Sequence, residues 1–224
     1  MLAVHPSPGG REGIQGRRVV ITGLGVVASC GIGRDAFWAG LLGPAPSGLR
    51  RIVDFDATEL YGPKDVRRVD RFTQFAAVAA AETARLEALE EIRAVYRELE
   101  TRPIDRNCRR LTECCAFRVT GRTPQLTRGE AIIAAKALRA SGRKALPERA
   151  DGSCPMLRDD GKCVIYQDRP FGCRTHFCAA AGGPYARNEV LDLIRRLETA
   201  DERLHGRGPR ALTVAVREEL RLLE

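Results

Sequence analysis

The sequence has no long apolar run, and nothing in its 224 residues approaches the uninterrupted hydrophobic length of a membrane span. The first residues, MLAVHPSPGG, also lack the basic region and apolar stretch of a secretory signal. The expectation is a cytoplasmic protein with no membrane partner. Aromatic residues make up only 5% of the chain, and no run of basic residues occurs despite a net charge of +8. The arginines are scattered among acids, so the charge reads as a solvated surface, and no nucleic-acid partner is expected. A nucleophile with a paired base is absent, as is an acid–base dyad, so no reaction and no catalytic residue is assigned. Cys-x-x-Cys knuckles are missing too.

What the chain does have is cysteine, concentrated in one place. Seven of its eight cysteines, from Cys108 to Cys178, fall in a 71-residue window. A chain of this length buries a core without covalent staples, so stability does not explain that density. In a reducing cytoplasm, clustered thiols point to metal ligation rather than disulfides. Cys114 and Cys115 sharpen this, because neighbouring cysteines bridge each other only in a strained ring, whereas adjacent thiolates readily serve a metal.

The spacing suggests two groups of ligands. Cys108, Cys114 and Cys115 can converge from one loop, after which Phe117 and Val119 alternate as a short strand does. In the second group, Asp159-Asp160-Gly161-Lys162 is a turn that lets Cys154 and Cys163 face each other across a hairpin. Val164-Ile165-Tyr166 then reads as a strand and Arg169-Pro170-Phe171-Gly172 as a turn, and Cys173, His176 and Cys178 close the cluster. Arg169 and Arg174 are expected to stabilise thiolate charge or the turn rather than to bind substrate. Seven thiols and one imidazole can hold two zinc ions or one four-iron cluster, and composition leaves both open.

Around these groups the pattern is mainly helical. Residues 1–16 read as a disordered leader, Val19–Thr22 as a short buried strand, and Arg34 or Asp35 through Leu42 as a helix stopped by Gly43 and Pro44. Gly23-x-Gly25-x-x-Ala28 superficially fits a dinucleotide fingerprint, but no second strand with an acidic end follows, so the glycines read as a tight turn. Leu86, Leu89, Ile92, Tyr96 and Leu99 mark a long helix from about Asp70, which Pro103 stops. Thr127 and Glu130 form a capping box ahead of a scaffold helix that Gly142 ends. The stripe Val190, Leu191, Ile194 and Leu197 predicts a helix covering the cluster, and a last amphipathic helix runs from Leu212 to Leu223.

Two resemblances follow from the residues. RRVVITGLGVVASCGIG, DAFWAGLLGPAPSGLRRIVDFDA and KDVRRVDRFTQFAAVAAAE, in that order, resemble the opening of a β-ketoacyl synthase over about residues 17–82. This implies a truncated α/β fragment of a thiolase-like synthase. It lacks the family's mid-chain nucleophilic cysteine and its two histidine motifs, so no condensing activity is expected and Cys30 reads as a small buried thiol. Cys114-Cys115, G-K-C-V-I-Y, D-R-P-F-G-C-R and Cys178 resemble the YkgJ-like zinc- or iron-chelating cysteine-cluster proteins, over about residues 82–224. Members commonly open with C-x-x-C-x-x-C-C, and here the second of those cysteines is Leu111. His176 is where compensation is expected.

The reading is a disordered leader (1–16), a synthase-like segment (17–82) and a mainly α metal-binding domain (83–224). That domain has short strands and loops around Cys108, Cys114, Cys115, Cys154, Cys163, Cys173, Cys178 and His176. The cofactor is an iron–sulfur cluster or zinc. The alternatives are an inactive relative of a fatty-acid or polyketide synthase, and an enzyme using the centre for redox or methyl-transfer chemistry.

Overall fold

Runs of alanine, leucine and glutamate favour helix, and helices carry the architecture. The computed structural model describes residues 23–44, 51–52, 55–102, 106 and 112–223. The expected leader, the strand at Val19–Thr22 and the helix stop at Pro103 lie outside these residues, as do Cys108 and Leu111. A hairpin of β1 (Val27–Ala28) and β2 (Gly31–Ile32) precedes α1 (Arg34–Leu42) and α2 (Thr58–Asp65). The long α3 (Arg71–Thr101) follows, then α4 (Phe117–Thr120), β3 (Gln125–Leu126), α5 (Arg128–Ala140) and α6 (Phe171–Thr175). The chain closes with α7 (Leu191–Arg203), β4 (Arg210–Ala211) and α8 (Leu212–Leu222). β3 and β4 pair antiparallel, with Gln125 opposite Ala211. The expected mainly helical class is observed. Among the described residues no helix is long and apolar enough to cross a membrane.

The synthase-like segment shows only the hairpin and helices among its described residues. Its glycines serve close packing: a Cβ on Gly25 would sit 1.7 Å from the Ala79 carbonyl oxygen, so the hairpin backbone rests directly on α3. That contact accounts for a glycine where the nucleotide fingerprint has one. Cys30, at the hairpin turn, is half-buried rather than the buried thiol expected, because a turn residue keeps one side toward solvent. Helix α1 has no buried residue, and Trp38 and Phe72 are 63% and 80% exposed.

Burial on α3 changes at Ala88. Before it, Gln74 is the buried residue, whereas beyond it Ala88, Leu89, Ile92, Val95, Tyr96 and Leu99 form a continuous stripe. That stripe packs against Ile132 and Ile133 of α5 and Leu193, Leu197 and Ala200 of α7. A second core joins the other face of α5, through Ala134 and Leu138, to Leu212 and Val216 of α8, with Met156, Ile165 and Cys154 added from the loops. Helix α5 is thus shared by both cores.

Three expectations need correction. Of the stripe expected for α7, Val190 and Leu197 are buried against α3, but Leu191 and Ile194 are only half-buried and Leu193 and Ala200 take the inner face, because the helix is rotated toward them. Residues 117–120 form a helical turn instead of a strand, closed by Gly121 at φ 63°. Residues 164–168 form turns and a 3₁₀ turn instead of a strand: the cross-hairpin bonding ends with Val164 N–H on the Met156 carbonyl at 2.8 Å, and the Ile165 carbonyl then accepts Asp168 N–H at 2.9 Å.

Gly129 of α5 lies close against side chains of α3 and of the residue that ends α7. A Cβ there would lie 2.2 Å from Ile92 Cδ1 and 2.7 Å from Leu204 Cδ1. Gly129→Ala is expected to lose about 1–3 kcal/mol through overpacking, read as a lower urea midpoint at unchanged slope. An unchanged midpoint would show that the helices give way freely.

Candidate metal centre

The cysteines are held by short loops whose backbone bonds fix where each one sits. Thr112, at φ 59°, turns the chain into a 3₁₀ turn over Glu113–Cys115. Cys154 N–H donates to the Cys115 carbonyl at 2.7 Å, which ties the second cysteine group to the first. The expected hairpin forms next: Leu157 and Cys163 pair across it, and Gly161, at φ 75°, closes its turn with N–H to the Arg158 carbonyl at 3.0 Å. Cys173 sits in the middle of α6, and His176 follows directly with its N–H on the Gly172 carbonyl at 3.2 Å. The Cys178 carbonyl then accepts N–H from Ala181 and Gly183, at 2.9 and 3.0 Å.

These loops enclose one cavity of about 730 Å³. Cys114, Cys115, Cys154, Cys163, Cys173, Cys178 and His176 all line it, so every described residue of the expected ligand set is brought together. Cys108 lies outside the described residues. Its near neighbour Arg106 donates to the Gly183 carbonyl at 3.0 Å and stacks 4.2 Å over the Tyr185 ring, beside the turn that carries Cys178. The seven described cysteines are free. The helix expected to cover the cluster, α7, packs on α3 instead, and Leu212 of α8 contributes to the wall.

A tetrahedral zinc–thiolate site has sulfurs about 3.8 Å apart, from its bond length of about 2.3 Å. The Cys114 and Cys115 sulfurs are 4.0 Å apart, close to that edge. Among the described residues no three His, Cys, Asp or Glu side chains are drawn together at ligating distance, so the remaining sulfurs ring the cavity rather than meet at a point. The donor set of thiols and an imidazole fits a soft or borderline metal.

Burial and neighbouring thiols set how readily each cysteine ionises. A hydrogen bond from the Cys115 thiol lowers Cys114 to about 7, with Arg169 acting in the same direction and burial opposing. The same contact pushes Cys115 up, followed by burial. Burial raises Cys154 to about 11 and also raises Cys163. Cys173 is driven well above the usual thiol range by burial, then by the charges of Cys154, Cys163 and Cys114. Thiols that hinder one another's ionisation are ones whose protons a metal ion displaces on binding.

The supports are partly legible in sequence. Arg169 stacks 4.1 Å over the Tyr166 ring; its charge acts to lower Cys114 and opposes the burial that raises Cys163. Arg174 braces the turn, as expected: it is buried 4.3 Å over the Tyr96 ring, donates to the Arg169 carbonyl at 2.7 Å and pairs with Glu100. Glu130 was visible only as half of a capping box. Its Oε2 does accept from Thr127 N–H and Oγ at 3.0 Å each, and its Oε1 accepts from Phe171 N–H at 2.7 Å and the Tyr96 hydroxyl at 3.2 Å. It therefore caps the helix that carries Cys173, a contact spanning 41 positions that no local motif announces.

Two outcomes follow. Glu130→Ala strands four buried donors and is expected to cost ~3 kcal/mol or more in denaturant unfolding, with Thr127→Ser costing far less. In metal-stripped protein, alkylation of Cys114 is expected to rise through a midpoint near pH 7, because the thiolate is the nucleophile, while Cys173 stays unlabelled until unfolding. A single common profile for all thiols, read by mass spectrometry, would refute that ordering.

Residues 107–193 match the sequence family described as "CxxCxxCC: Putative zinc- or iron-chelating domain". A "Putative polyketide beta-ketoacyl synthase 1" of Streptomyces halstedii is 43% identical over 93 residues, covering 34% of this chain and 22% of the relative. The "Granaticin polyketide putative beta-ketoacyl synthase 1" of Streptomyces violaceoruber is 44% identical over 75 residues, covering 27% of this chain and 18% of the relative. The chain spans about a fifth of the length of these relatives. No solved structure matches the chain. Residues 107–193 thus resemble a zinc- or iron-chelating cysteine-cluster domain, and the synthase-like segment resembles the amino-terminal part of a polyketide β-ketoacyl synthase.

Proposed function

We propose that the chain is a metal-binding protein that holds an iron–sulfur cluster or zinc through Cys114, Cys115, Cys154, Cys163, Cys173 and Cys178. Cys108 and His176 complete the set. The observation that carries this reading is the single cavity lined by six free thiols and an imidazole. Free thiols at this density suit a reducing cytoplasm. Cys115, Cys163 and Cys173 pack against the core shared by α5 and α8, so ligation also cross-links the loops to the scaffold. Metal binding therefore adds to folding stability.

The metal-binding unit begins within α3, near Glu82, with the synthase-like segment preceding it. The onset of continuous burial at Ala88 supports this division. In this reading the synthase-like segment performs no condensation of its own, since it matches about a fifth of the length of the synthases it resembles and lacks their mid-chain cysteine and histidine motifs.

Elemental analysis and an absorption spectrum on protein purified without oxygen test the reading. The expected result is stoichiometric iron with a broad visible band, or stoichiometric zinc without one, and removal by a chelator should lower Tm. Cys173→Ser is expected to lose most of the bound metal, and Cys30→Ser none. Protein that is metal-free and as stable as before would overturn the proposal.

A further inference from the structure

The cavity is much larger than metal ligation needs, and its charge is lopsided. At about 730 Å³ it falls in the range of small-molecule pockets rather than of closed structural metal sites. Arg122, Arg158, Lys162, Arg169 and Arg174 line it, against Glu113 as the carboxylate among the described lining residues. Some of that positive charge is already used. Arg174 pairs with Glu100, and Arg169 faces Cys114 and Cys163. Arg158 and Lys162 share one carboxylate, Asp160, at 3.4 and 3.8 Å, which leaves an excess of one cation. Arg122 follows Gly121, which takes φ 63°. It is exposed at the mouth, and among the described residues its guanidinium has neither an ion pair nor a hydrogen bond. Phe117, Phe177 and Met156 supply apolar wall to the same cavity.

We infer that this cavity is a binding site for a small organic oxyanion, a phosphate ester or a carboxylate, whose charged head is held by Arg122 and Lys162 and whose apolar body lies on the aromatic wall beside the metal centre. A guanidinium presents paired N–H donors that match either head group, and an aromatic wall accepts either body. The inference rests on the metal reading for what the ligand sits beside, and on side chains alone for what holds it.

Calorimetric titration of the full chain, metal-loaded and chelator-stripped, with phenyl phosphate, benzoate and phenol at matched ionic strength tests it. The expected result is saturable 1:1 binding of one or both anions, with phenol not binding at the same concentration. A response to phenyl phosphate alone identifies a phosphate-ester site, and one to benzoate a carboxylate site. Arg122→Gln and Lys162→Gln lie at exposed positions, and each is expected to weaken binding about tenfold with metal content unchanged. Absence of saturable binding by either anion, phenol binding as well as the anions, or both variants binding like wild type would overturn the site. Protein that folds without zinc or iron yet binds the anions would overturn the metal reading alone.

Discussion

The carboxylate of Glu130, buried with four hydrogen-bond donors around it, is the contact on which the arrangement of the thiol cavity depends. It caps the start of α5 at one oxygen and the start of α6 at the other, while the Tyr96 hydroxyl brings in α3. Burial drives its pKa up and the Thr127 and Phe171 amides pull it back, so its hydrogen bonds offset much of the cost of placing a carboxyl in the core. Arg174 lies on the opposite side of Tyr96's environment and fixes the turn before Cys173. One aromatic residue of α3 thus has a carboxylate at its hydroxyl and a guanidinium over its ring, and both determine where α6 sits.

Much of this was legible in the sequence wherever the deciding forces are local. The helices at Arg34–Leu42, Arg71–Thr101, Arg128–Ala140 and Leu212–Leu222 follow from apolar spacing, caps and glycine stops within a few residues. The hairpin between Cys154 and Cys163 follows from its turn residues. What sequence did not carry was long-range. Val164–Tyr166 has the β-branched character of a strand, but among the described residues its cross-hairpin bonding stops at Val164, and the backbone turns beyond it. The face that α7 buries was chosen by α3, and a stripe with several apolar options does not reveal which partner selects among them. Glu130 was recognised for the bond three positions away and missed for the one across the fold.

The thiol site shows how chemistry and packing share residues. Cys154 is a core residue beside Met156 and Ile165, and Cys115, Cys163 and Cys173 touch the same core. Their burial is what makes free thiolates unfavourable, and the same burial excludes water from ligands that a metal would otherwise compete for. The cationic side chains are divided by burial as well: Arg122 and Lys162 are exposed, whereas Arg174 is buried against Tyr96.

The continuity of α3 has a geometric consequence. From Arg71 to Ala88 the helix advances about 25 Å and turns about 100° per residue. Helical hydrogen bonds are local, so two unrelated sequences can share such a rod without a visible seam. The bearing of the amino-terminal segment about the rod is then a matter of counting: one residue added or removed ahead of Ala88 swings that segment more than a quarter turn around the axis, while the thiol cavity beyond it keeps its shape. The helix works as an indexed shaft, and the number of residues in it is the setting.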